Sequence, residues 1–218
     1  MSRKEILATY RPIRKEIQKH LRAAPKLAQR EAWLGAAESL GLVEDHAIVA
    51  DSDALDMLTD VVLFTADSSG ERIIDRYAAA LTNRRERAFA RRLARGVFSI
   101  WRVIGRHPYG GLIVEDALAS RNPKRLMDEA LEKFASPGAL VAMRLFDAGD
   151  FLAGFGIVIP VGGLATTILR QLPRARHLTG LDSFFYVHAI HGIRIEESLL
   201  EGLLGDAACD QSDLFAAA

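Results

Sequence analysis

Hydrophobic positions recur at helical spacing through the first half of the chain and then give way to short β-branched runs. Ile6, Tyr10, Ile13, Ile17 and Leu21 trace one face of a helix, with Pro12 as an interruption, and Leu27, Trp33, Leu34, Ala37 and Leu40 continue in the same style up to Gly41, a C-capping residue. The first forty residues therefore predict two helices. Asp51-Ser52-Asp53 is an N-cap cluster for a third helix, "DALDMLTDVVLFTA", closed by a loop at Ser68-Ser69-Gly70. "ERIIDRYAAAL" and "NRRERAFARRLARGVF" predict a fourth and a fifth, the last with Asn83 as its cap.

The period changes at Gly96. "VFSIWRVIG", "LIVEDAL", "ALVAMRLF" and "FLAGFGIVIPV" are apolar or alternating and are separated by the turns "RHPYGG", "SPG" and "DAGD", so strands are expected between Val97 and Val161. Within that region "KRLMDEALEKFA" fits a helix better, through Leu126, Met127, Ala130, Leu131 and Phe134. "GGLATTILRQL" and "SFFYVHAIHGIRIEESLLEGLL" read as helical at their ends. The expected fold is α+β: an N-terminal helical region (1–96), a small curved antiparallel sheet or barrel-like module (97–165), C-terminal helices (166–205) and a flexible tail (206–218).

The uncharged stretch Phe151 to Leu169 approaches the length of a bilayer span. Gly154, Gly156, Pro160, Gly162 and Gly163 break it, and β-branched residues cluster at its centre, so it reads as a buried strand, a turn and a helix start. The charged opening "MSRKEILATYRPIRKE" lacks the apolar run of a secretory signal. A single cysteine, Cys209, excludes an internal disulfide or a cysteine zinc site, in keeping with a cytoplasmic protein and no membrane partner.

Half of the 218 residues are hydrophobic, enough for a substantial core, and the 28 basic residues balance the 28 acidic ones. Their distribution is uneven. Residues 1–30 carry nine basic and two acidic side chains, Glu31 to Asp75 eleven acidic against Arg72, and Arg84 to Arg106 eight arginines against Glu86. At about 100° per residue, Arg84, Arg85, Arg87, Arg91, Arg92 and Arg95 fall on one side of the fifth helix and Phe89, Ala90, Leu93 and Val97 on the other. Such a face suits the phosphates of DNA. It equally suits the chain's own acidic stretch, another acidic partner, or plain solvation.

The middle of the chain resembles a module of uncharacterised bacterial proteins, many of which carry a C-terminal SEC-C zinc-binding segment. The pieces that carry the resemblance are I-x-R-Y at Ile74 to Tyr77, the Leu112 to Asp116 region, and P-G-x-x-x-x-x-R at Pro137 to Arg144. It covers roughly Leu63 to Val161 and implies a small curved sheet preceded by helices, with a strand near Leu126 to Leu131 where the local pattern favours helix. The cysteine-rich segment is absent here, and the resemblance implies no activity.

Signatures of catalysis are sparse. His188 and His191 lie three apart, with Glu196 or His177 to complete a metal set, but H-E-x-x-H is missing and the neighbours Phe184, Phe185 and Tyr186 favour histidines at a core edge. Glu115 and Asp116 are adjacent and on a strand point to opposite faces, which leaves Asp116 as a turn or sheet hydrogen-bond residue. The G-x-G-x-x-G, G-x-S-x-G and Walker patterns are also missing, so the reading leans away from an enzyme and implies no cofactor and no metal.

The tail "DQSDLFAAA" sets two large apolar residues in a small polar segment. Gln211, Ser212, Asp213, Leu214 and Phe215 resemble the short motif by which bacterial replication and repair proteins hold the DNA sliding clamp; the second position departs from the usual leucine. An extended peptide of this kind places Leu214 and Phe215 in an apolar pocket with Gln211 at its rim. Burial of both side chains gives about 3–6 kcal/mol before ordering costs, hence micromolar binding at best. The alternatives are a tail packed on its own body, a chance match, or a degradation tag ending in Ala-Ala-Ala. The resulting expectation is an accessory protein of DNA replication or repair, with a protein-interaction module as the alternative.

Overall fold

The computed structural model describes residues 2–119, 122–171 and 180–199. Helix α1 (Arg3–Ala23) begins at a capping box in which the Ser2 hydroxyl and the Glu5 carboxylate each accept from the other's backbone N–H. It runs unbroken through Pro12, which lies on the exposed side, so only one solvent-facing backbone bond is forfeited while Ile6, Tyr10 and Ile17 stay buried. A 3-10 turn (Ala24–Leu27) leads to α2 (Arg30–Ser39). Gly41, at φ +66°, closes α2 in a Schellman arrangement, with Leu42 N–H bonded to Ala37 and Gly41 N–H to Glu38.

A hairpin of β1 (Val43–Glu44) and β2 (Ala47–Ile48) follows, for which the apolar pattern has no signal. Asp45 and His46 both take positive φ, as the two-residue turn requires. Helix α3 (Ser52–Phe64) is capped by the Asp51 carboxylate, which accepts from Ala54 N–H at 2.8 Å. Helices α4 (Ile73–Ala80) and α5 (Arg84–Leu93) complete this half, the latter capped by the Asn83 side chain.

Strand β3 (Val97–Arg106) opens the sheet, followed by β4 (Leu112–Asp116), β5 (Lys124–Met127), the single turn α6 (Leu131–Phe134), β6 (Leu140–Asp147), β7 (Leu152–Gly154) and β8 (Ile159–Val161). The order β3-β4-β5-β7-β6 closes on itself through β3 and β6, while β8 pairs with the free part of β6. The ring has no open edge, and its interior is filled from all five strands, by Trp101 and Val103, Leu112 and Val114, Leu126, Met143 and Leu145, and Leu152. Alternate residues of β6, Ala142, Arg144 and Phe146, point the other way, toward the helices. Helices α7 (Gly163–Gln171) and α8 (Leu181–His191) follow.

Two readings are corrected. The segment 124–134 is a strand followed by one helical turn, because β5 pairs with β4 on one side and, in parallel, with β7 on the other, and this long-range pairing outweighs the helical spacing of Leu126, Met127 and Leu131. "FLAGFGIVIPV" is two strands, broken where Gly156 adopts φ +112°. The α+β architecture of N-terminal helices, barrel-like sheet and C-terminal helices is as expected. One apolar core nevertheless runs from α1, α3 and α4 across the outer face of the sheet to α8, so the helical region and the sheet share it. No helix among the described residues is long and apolar enough to cross a membrane.

Candidate functional site

The arginine-rich face of α5 is held rigidly. Ala90 and Leu93 are buried beneath it, and Phe89 stacks on the His20 ring (5.4 Å) and meets the edge of Phe146 (6.0 Å). Two arginines serve the body: Arg92 donates from Nε and Nη2 to the Asp147 carbonyl (3.1 and 2.8 Å), and Arg87 to the Thr82 carbonyl (3.3 Å). Arg84, Arg85 and Arg91 are exposed on α5, and Arg95, expected on the same helix, stands exposed in the turn that follows its end at Leu93; none of the four forms an ion pair among the described residues. Pairing with the acidic stretch, one of the expected alternatives, is therefore not what these residues do. The acidic side chains that are paired are met elsewhere: Asp67 and Glu71 by Arg76, Asp75 by Arg72 and Asp60 by Arg144. Glu86, the one acid on α5, pairs with Lys19 of α1.

A buried polar cluster joins α3, β6 and α8 around Arg144, the last residue of the P-G-x-x-x-x-x-R piece. Arg144 Nε donates to both Asp60 oxygens at 3.0 Å, and its Nη2 donates to Asp60 Oδ2 at 2.9 Å and to Asp182 Oδ2. Tyr186 O–H donates to the same Asp60 oxygen at 2.7 Å, and the guanidinium lies 4.0 Å from the centre of the Phe64 ring. Asp60, Arg144 and Tyr186 are all buried. Burial pulls the Arg144 pKa down, but the charge and hydrogen bonds of Asp60 outweigh it and the net shift is upward. Burial, reinforced by the Asp60 charge, raises the Tyr186 hydroxyl well above its usual value.

The histidines do not converge. His188 Nδ1 is 2.6 Å from the Phe184 carbonyl, whereas His191 Nε2 reaches across to the Leu40 carbonyl at 2.8 Å, so one ring is turned into α8 and the other fastens α8 to the end of α2. No cluster of three metal-binding side chains occurs among the described residues. Asp116 accepts from the Ser99 hydroxyl and from the N–H groups of Leu118 and Ala119, a turn-stabilising role, while Glu115 lies 3.7 Å from Arg102. Gln211, Ser212, Asp213, Leu214 and Phe215, like His177 and Cys209, lie outside the described residues.

A family model described as "Family of unknown function (DUF7986)" matches residues 4–162, which include Asp60, α5 and Arg144 but stop short of Asp182 and Tyr186. No curated protein and no solved structure gives a significant match.

Proposed function

Since the chain belongs to that family of unknown function (DUF7986), whose description names no activity, we propose from its surface chemistry that it is a non-enzymatic accessory of DNA replication or repair. In this reading α5 touches DNA phosphates and the tail, through Gln211, Asp213, Leu214 and Phe215, tethers the protein to the sliding clamp. The observation that carries the DNA contact is the set of exposed arginines at 84, 85 and 91 on a helix whose other side is locked into the core, with Arg95 in the turn just beyond it, all free of ion pairs among the described residues. Arginine suits this role because its guanidinium stays charged and offers a planar fork to phosphate oxygens. The tail alone would bind weakly, and a second contact to DNA inside the ring raises the effective affinity without new chemistry.

The test is equilibrium binding of the full chain to a short duplex across a salt series. Four neutralised phosphates give a log–log salt slope near −3.6, or roughly a 100-fold loss between about 50 and 200 mM salt. Replacing Arg84, Arg85, Arg91 and Arg95 with Glu should abolish that binding and leave the fold intact. Equal affinity of variant and wild type, or no affinity even at the lowest salt, overturns the DNA contact. Clamp recovery by wild type and by L214A/F215A protein tests the tether separately, and equal recovery ends it.

A further inference from the structure

A cavity of about 470 Å³ opens between α1 and α3 on the side of Asp60 away from α8, within the range of small-molecule sites. Its two walls carry opposite charge. Arg14, Gln18 and Arg22 stand on α1 at positions i, i+4 and i+8, and Asp56, Thr59 and Asp60 on α3 at i, i+3 and i+4, so each set shares one helix face. Leu63 and Phe155 supply an apolar lining between them.

Facing helices with long charged side chains ordinarily close such a gap with an ion pair. Here none of these arginines pairs with Asp56 or Asp60, and on each wall the deeper charge is anchored elsewhere. Arg14 Nη1 donates to the Gly154 carbonyl at 3.1 Å, and its guanidinium packs against Gly156, where a Cβ would stand 2.9 Å from Nη2. Asp60 is held from behind by Arg144 and Tyr186. Asp60 is buried and its carboxylate oxygens are taken up by those donors, so the charge this wall presents to the cleft is the exposed Asp56. Arg22 and Asp56, nearer the mouth, are exposed and make no ion pair among the described residues.

Opposite, unpaired charges on the two walls of a partly apolar gap match a ligand that carries both. We infer that this cleft binds a small zwitterion, an amino acid or dipeptide, with its ammonium group toward Asp56 and its carboxylate toward Arg14 and Arg22. A simple anion or cation satisfies one wall and leaves the other unmatched, which is the source of selectivity. The site is separate from the arginine face of α5 and does not depend on it.

The experiment is thermal-shift screening of the full chain, followed by calorimetry, with the standard amino acids and glycyl dipeptides at up to about 10 mM. At least one should raise the melting temperature. Its N-acetyl and its C-amide derivatives, each lacking one charge, should bind about 10- to 100-fold more weakly. Asp56→Asn and Arg22→Gln, at exposed positions that leave the fold intact, should each weaken the parent ligand. In Asp56→Asn the penalty for N-acetylation should shrink, and in Arg22→Gln the penalty for amidation. No binding by any of these compounds, or a ligand bound equally by wild type and both variants, overturns the assignment.

Discussion

Arg144 lies under the helices with Asp60, Asp182 and Tyr186 around it and an aromatic ring against its face, whereas Arg84, Arg85 and Arg91 on α5, and Arg95 just past its end, stand in water without ion-pair partners among the described residues. The same guanidinium thus serves two opposite purposes. Buried, it must be matched, and the match ties a helix, a strand and a second helix together. Exposed on an anchored helix, it costs the fold little and is left to solvent. Arg92 falls between the two, since it is on the exposed side of α5 yet spends its donors on the Asp147 carbonyl of β6. Charge counts along the chain do not separate these cases; neighbours do.

Breaking the buried side of this contrast should give the largest effect. Asp60→Ala leaves Arg144 in a poorly solvated site with only Asp182 as a charged partner, and should lower unfolding free energy by about 3–5 kcal/mol in a denaturant titration. Replacing both residues together, as Asp60→Leu with Arg144→Met, should cost less than the sum of the single losses, because no unmatched charge remains. Tyr186→Phe removes one donor to a buried carboxylate, and about 1.5–3 kcal/mol is expected from the same measurement. Arg92→Ala should cost about 0.5–1.5 kcal/mol through the lost bonds to Asp147, while Arg91→Ala, one position along, should stay within about 0.5 kcal/mol. An equal loss for Arg91 and Arg92 would erase the distinction drawn within α5.

A further check concerns how α5 is seated. Burial lowers the pKa of His20, which stacks under Phe89 and contacts the Tyr77 hydroxyl at 2.9 Å; Glu16 and Glu86 pull it upward and Lys19 downward. With the folded value below the unfolded one, the unfolded chain takes up the proton first on acidification. The contribution is therefore full above the unfolded value of about 6.5 and declines as pH falls below it. Thermal unfolding between about pH 7.5 and 5.5 should show a steeper loss in wild type than in His20→Phe. Parallel slopes would mean that His20 does not couple acid to the seating of the helix.

Much of the architecture was legible from local pattern. The Asp51 and Asn83 caps, the Gly41 terminus, the two-sided α5 and the change of period at Gly96 rest on interactions within a few residues, so short windows of sequence contain them. The hairpin at Val43 to Ile48 escaped because its turn uses Asp45 and His46 in place of glycine. Strand β5 escaped because its partners, β4 and β7, decide it against its own spacing. Among site residues, the arginine face was visible as a stripe, but which of its members were already engaged was not.

What the sequence alone determined is the helical first half, the β-rich centre and the segregation of charge, since propensity, capping and periodicity act over neighbouring positions. Closure of the sheet through β3 and β6 and the meeting of Asp60 with Arg144, 84 positions away, and with Tyr186, 126 away, belong to the tertiary structure. The facing of Arg14 and Arg22 toward Asp56 and Asp60 belongs there too. In each case the energy lies in a contact between distant segments, and neither partner carries a local mark of the other.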